Sequence, residues 1–166
     1  MNKIAHTTPL AGLQDSLEAT VELLNNTRRS LHVYTPHIES RLYNHNDVIE
    51  ALRTRVTEQS RLSCFLILPT ASRWRRSCPH FHRLLERLTS SLQVRVLPAN
   101  EPRERPEFSQ SFMIADETRL LHYSDPQRLS GVYETQAASK AKILLGFFTE
   151  IWEKSATDPE LRRLGI

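Results

Sequence analysis

An α/β fold, with a mixed and mostly parallel sheet flanked by helices, follows from three observations. Helical and extended segments alternate as α, β, α, β, α, β over residues 9–97 with short links, which implies βαβ crossovers. One extended segment, Cys64-Phe65-Leu66-Ile67-Leu68, is apolar on both sides, as suits a parallel strand covered on both faces. The chain then switches to a hairpin pattern and ends in a long helix with a wide apolar stripe.

Thr8-Pro9 offers an N-cap with proline at the first helical position, and Leu10, Leu13, Leu17, Val21 and Leu24 recur at helical spacing. This predicts a helix over 9–26. Leu31-His32-Val33-Tyr34-Thr35 is rich in strand formers and is stopped by Pro36. Asp47 with Glu50 three residues on has the form of a capping box, and Val48, Ile49, Leu52 and Val56 give a second helix its apolar face, ending near Gln59. After the strand at 64–68, Pro69 opens a loop over 70–77, and Pro79 leads into a third helix carrying Phe81, Leu84, Leu85 and Leu88. Val94-Arg95-Val96-Leu97 alternates as a third strand, and 98–106 is a polar, proline-bearing loop.

The segments 111–115 and 119–123, separated by Asp116-Glu117-Thr118, read as a hairpin, with a further extended piece at 131–134. The final helix, 137–154, carries Ala141, Leu144, Leu145, Phe148, Ile151 and Trp152 on one stripe, widened by Ile143 and Phe147. So broad a stripe suits either deep burial within the monomer or burial against the sheet on one side and a second copy of the chain on the other. Residues 155–166 read as a surface tail on a single domain with its core at 10–154.

Composition narrows the function. With 166 residues the chain can bury a core without staples, and its two cysteines, Cys64 and Cys78, read as reduced structural thiols of a cytoplasmic protein. No apolar run reaches the length of a membrane span, and residues 1–8 lack the form of a signal peptide. The formal charge of +3 is below the loading of a dedicated nucleic-acid binder. Four glycines, with no Walker loop and no G-x-G-x-x-G, leave no glycine-built phosphate cradle, and no cofactor is expected. His80 and His82 face different sides of a helix and match no zinc spacing, so no metal is expected either.

Charge is more informative by position. Arg73, Arg75 and Arg76 surround Trp74 in a loop that follows a strand, at the edge where open α/β sheets bind ligands. Arginines there can grip phosphates while Trp74 stacks on a base, and His37 and Glu39, just after the first strand, share that rim.

The stretch Ser109-Gln110-Ser111-Phe112-Met113-Ile114-Ala115-Asp116 has the spacing H-x-K-x4-D, with serine in place of histidine and of lysine. With the order of elements, this resembles one half of a phospholipase D. The chain is similar to bacterial phospholipase D-like domains, some of which follow a GNAT-type acetyltransferase domain. The matching stretches are Ile38-Glu39-Ser40-Arg41-Leu42-Tyr43, His82-Arg83-Leu84 and Phe147-Phe148-Thr149-Glu150-Ile151-Trp152-Glu153. In active relatives a histidine attacks phosphorus and a lysine holds the phosphate oxygens; here Ser109 and Ser111 stand at those positions and Asp116 alone matches. The resemblance also implies a homodimer, since active single halves pair two copies to complete one site. Asp116 equally suits the opening of a β-turn.

The expectation is therefore a phospholipase D-like module without a catalytic residue, serving binding or regulation, with an anionic ligand such as a phosphate or nucleic acid on the rim of His37, Glu39, Arg73, Trp74, Arg75, Arg76, Ser109, Ser111 and Asp116. The alternatives are a phosphodiesterase or nuclease that uses His37 or His82 in place of the missing histidine, and a partner domain for another polypeptide.

Overall fold

The computed structural model describes residues 6–98 and 100–161. Its elements run β1 (Thr7–Ala11), α1 (Leu13–Asn25), β2 (Ser30–Tyr34), α2 (Ser40–Tyr43), α3 (Asn46–Glu58), β3 (Ser63–Leu68), α4 (Ala71–Trp74), α5 (Pro79–Arg87), β4 (Leu92–Val96), β5 (Ser111–Ala115), β6 (Arg119–Asp125), β7 (Ser130–Glu134), α6 (Ala138–Lys154) and β8 (Ala156–Thr157). The strands form one sheet in the order β1-β7-β6-β5-β2-β3-β4-β8. Helical crossovers make β2, β3 and β4 parallel, with Leu31 beside Cys64 and Cys64 beside Leu92. Tight turns make β5, β6 and β7 antiparallel.

Period-two alternation assigns each strand residue to a face. Leu31 and Val33 of β2, Cys64, Leu66 and Leu68 of β3, and Met113 and Ala115 of β5 join the core beneath α1, α3 and α5. Their neighbours Tyr34, Ile67, Phe112 and Ile114 join a second core beneath α6, with Phe147, Phe148 and Ile151. The sheet thus has α1, α3 and α5, with the short α2 and α4, on one face and α6 on the other.

The sheet is mixed and helix-flanked as expected, but its balance of directions differs. Five of the seven strand pairings among the described residues are antiparallel. Two of the additional pairings come from segments whose local sequence conceals strands. Residues 7–11 form β1, antiparallel to β7, where the sequence suggests the start of a helix. β1 lies at the sheet edge, where a proline such as Pro9 costs no ladder bond on its solvent side, and Gly12, at φ 92°, turns the chain into α1. At the other edge β8 pairs with β4, and Asp158 and Leu161 beyond it are buried. The expected surface tail is therefore docked over 156–161; residues 162–166 lie outside the described residues.

Two further details differ from local expectation. The cap of α3 is His45, whose Nδ1 accepts from the Asp47 amide at 3.1 Å, while Glu50 of the supposed capping box pairs with Arg53. On α6 the apolar stripe is narrower than its sequence suggests, because Ile143 is 70% exposed and Leu145 and Trp152 are half-buried.

The β5–β6 turn has positive φ at both central residues, Asp116 and Glu117, the geometry whose twist suits a tight hairpin. Neither residue is glycine, so the turn carries strain. Asp116 offsets it: its carboxylate accepts from the backbone amides of Arg28, Arg29 and Ser30 at 2.6–3.2 Å, tying the turn to the entry of β2. Asp116→Ala is expected to lower stability by about 2 kcal/mol through the loss of these charge-assisted bonds. Urea denaturation of the two proteins checks it.

His32 is enclosed between Phe65 and Phe148, and its Nδ1 is buried with no hydrogen-bond partner among the described residues. Burial holds His32 and His122 below the ordinary histidine value. Unfolded, both titrate near pH 6.5, so above that pH they are neutral in both states and stability is full. Below it the unfolded chain takes up protons that the native state resists, and stability falls. Urea midpoints should therefore drop between about pH 7.5 and about pH 5.5, and His32→Phe should flatten that dependence.

A candidate anion-binding cleft at the strand ends

Prolines end the central strands on one rim. Pro36 follows β2, Pro69 follows β3, and Leu97-Pro98 follows β4, so the chain peels away from the sheet at the carboxyl ends of its three parallel strands. Between these exits lies a cleft of about 360 Å³ lined by Pro36, Pro69, Thr70, Arg73, Leu97, Glu101 and Arg103.

Each guanidinium is supplied by a supported loop. Arg73 lies on α4, whose Trp74 donates its indole N–H to the Pro69 carbonyl at 2.9 Å and packs on Phe81 and His82. Arg103 lies on a loop latched to α6 by two ion pairs, Glu101–Lys154 at 2.9 Å and Arg105–Glu150 at 2.6 Å. Below that loop the Tyr34 hydroxyl donates to the Phe108 carbonyl at 3.0 Å. Burial holds the Tyr34 phenol well above its ordinary value, with the Arg103 charge acting against it. The cleft therefore offers two cations, a hydroxyl and apolar walls, and its one carboxylate, Glu101, is balanced by Lys154. Such a lining suits an anion with an apolar part.

Of the residues singled out in the sequence, Arg73 alone lines this cleft. Trp74 is a correction: at 3% exposure, with its N–H committed to Pro69, it serves the core and has no free face for a base. Arg75 and Arg76 are exposed outside the cleft lining, Arg75 standing 3.9 Å from Glu160. His37 is exposed one residue beyond Pro36, and its carbonyl accepts from the Thr35 hydroxyl. Glu39 caps α2 and is held by Arg41, whose hydrogen bond pulls its carboxyl below the usual value.

The signature-like stretch is spread along a whole strand. Ser109 is exposed and donates to the Pro106 carbonyl at 3.0 Å, while Ser111 is buried at the start of β5, opposite Tyr123. Asp116 follows the other end of β5, five residues on, or about 17 Å at strand rise. It borders a recess with His6, Glu22, Arg28 and Arg119 at the opposite ends of the strands. Thr70, Glu101 and Arg103 were the cleft residues that sequence reading missed. Arg103 carried a faint signal, as a cation in a proline-bearing loop after a strand; Thr70 and Glu101 carried none.

The reactive side chains elsewhere are enclosed. His82 is buried, with Nδ1 3.0 Å from Glu86 and Nε2 without a hydrogen-bond partner among the described residues, so it cannot meet a substrate. Burial raises the Cys64 thiol to about 12 and also raises Cys78, which keeps both protonated. No group of three metal-ligating side chains occurs among the described residues, and no helix there is long and apolar enough to cross a membrane.

Among solved structures, the chain is similar to NucT from Helicobacter pylori, at 11% identity and TM-score 0.65, covering 92% of this chain and 99% of that one. It is similar to Nuc from Salmonella typhimurium, a phospholipase D family member, at 10% identity and TM-score 0.60, covering 92% and 98%. TrmBL2, an archaeal chromatin protein, matches at 13% identity and TM-score 0.63 over 95% of this chain, which spans 56% of that protein's length. At these identities the likeness is one of fold, and the fold is phospholipase D-like. No curated protein matches the chain by sequence. Residues 12–164 match the model of a family described as a domain of unknown function, DUF7931, and the chain belongs to that family.

Proposed function

We propose that this chain is a phospholipase D-like module that binds a phosphate-bearing anion of the nucleic-acid kind in the strand-end cleft and does not hydrolyse it. The observation that carries the reading is the presence of Arg73 and Arg103 on two separately anchored loops that line one cleft. Two guanidiniums can each give paired N–H donors to phosphate oxygens, and the walls of Pro36, Pro69 and Leu97 accept a sugar edge or a base. Support from likeness comes from TrmBL2, whose published description is of DNA binding.

The absence of hydrolysis rests on the residues of the signature frame. A serine brings no positive charge to a phosphodiester, Ser109 is bonded to its own turn, and Ser111 is buried. Of His37 and His82, the two histidines that could replace the signature one, His82 is enclosed. The reading includes self-association and a cytoplasmic setting. Sedimentation of the purified chain measures the first.

Titration with a fluorescent single-stranded oligonucleotide at two salt concentrations tests the reading. The wild type should bind saturably, with affinity falling as salt rises. Arg73→Ala and Arg103→Ala should each weaken binding about tenfold and lower the salt slope by about one. Trp74→Phe, which deletes the indole bond that anchors α4, should cost stability and weaken binding by less than Arg73→Ala does. Turnover of bis-p-nitrophenyl phosphate abolished by His37→Ala would replace this reading with a phosphodiesterase.

A further inference from the structure

The first turn of α4 is capped from far along the chain. Thr70 stands at its N-cap position, where a threonine hydroxyl ordinarily accepts from the helix's first amides, yet it makes no such bond. The Ala71 amide, on a residue with 0% exposure, donates instead to the Asp158 carboxylate at 2.8 Å. Asp158 is itself 3% exposed, and its other oxygen accepts from the Glu160 amide at 3.0 Å. The segment that carries it is fixed by β8, where Ala156 and Thr157 pair with Val96 and Arg95, and by Leu161, which is buried in the core.

We infer that Asp158 is a positioning residue for the cleft: by accepting from the buried first amide of α4 it fixes the backbone that presents Arg73. This rests on the cleft being the binding site. Arg73 is two residues from the capped amide, on a helix of a single turn whose own hydrogen bonds are too few to hold it. With Asp158 lost, the buried Ala71 amide is left without its acceptor, and the single turn that carries Arg73 loses its anchor.

The test is a mutant cycle in the full chain, with single-stranded oligothymidylate as the probe. Asp158→Asn, which keeps an acceptor oxygen but not the charge, should weaken binding about fivefold. In the Arg73→Ala background, Asp158→Asn should cost nothing more, because both act through the same guanidinium. A remote destabilising change, Val48→Ala in α3, should leave affinity unchanged, which separates positioning from loss of fold. The Trp74 indole N–H resonance should shift in Asp158→Asn before any probe is added. An unchanged affinity in Asp158→Asn, or losses that simply add to those of Arg73→Ala, would overturn the inference while wild-type binding leaves the cleft reading intact. No binding by the wild type would overturn both.

Discussion

Strands β2, β3 and β5 are buried on both faces, and the rest of the molecule is arranged around the need to cover them. Each alternate residue meets a different core: Leu31 and Val33 face α1 and α3, while Tyr34 faces Phe147 of α6. Full burial of such a side chain contributes about 1.5–3 kcal/mol. A slip of one residue in the β2–β5 pairing would exchange the two sets and place Val33 and Met113 under the aromatic cluster of α6. The register is therefore held by both cores at once, and with it the level at which the strands end. That level brings Pro36, Pro69 and Leu97 to one rim, and the cleft follows from their common height.

A second constraint recurs outside the sheet, in the use of distant side chains to satisfy backbone amides. The Asp116 carboxylate serves the amides of residues 28–30, Asp158 serves Ala71, and Asn44 accepts from His80 and Phe81 at 2.9 and 3.1 Å at the start of α5. In α4 and α5 the residue at the local cap position makes no side-chain capping bond. Helix starts on the rim are thus joined to elements far away in sequence, and the loops between them are stiffer than their polarity suggests. For the proposed binding at the cleft, this would place Arg73 on a backbone already held by Asp158, which lowers the ordering cost of binding.

This pattern explains where the sequence was readable. The strands at 31–34, 64–68, 111–115 and 119–123 and the helix at 138–154 were legible because their apolar periods answer to the local chain alone. β1 was not, since Thr8-Pro9 is as good a helix start as an edge strand until β7 is there to pair with it. β8 and the burial of Asp158 were hidden for the same reason: a polar dozen residues look like a tail until β4 offers an edge. In the site, a basic loop at the strand ends was visible, but the choice among its members was not. Trp74 beside three arginines invites a stacking role, yet its large apolar area gains more from Phe81 and His82 than from solvent. Arg103 reaches the cleft only because Glu101 and Arg105 latch its loop to α6, a contact across about fifty residues of chain that no local pattern announces.

The spacing that resembles H-x-K-x4-D acquires a plain meaning in this setting. From Ser111 to Asp116 the chain runs the length of β5, from the end that borders the cleft to the opposite strand end, so the two ends of the motif answer to different demands. At the far end an acidic residue is required by geometry, because three converging backbone amides need an acceptor and the positive φ of the turn favours a short polar side chain. At the near end nothing in the packing requires histidine or lysine; Ser109 closes its own turn and Ser111 fills a small buried position. The spacing is thus a property of a strand of this length followed by a tight hairpin, and the aspartate is a property of the backbone it binds. In the proposed reading, an anion is met instead at the strand ends, where Arg73 and Arg103 line the cleft and neither belongs to the signature frame.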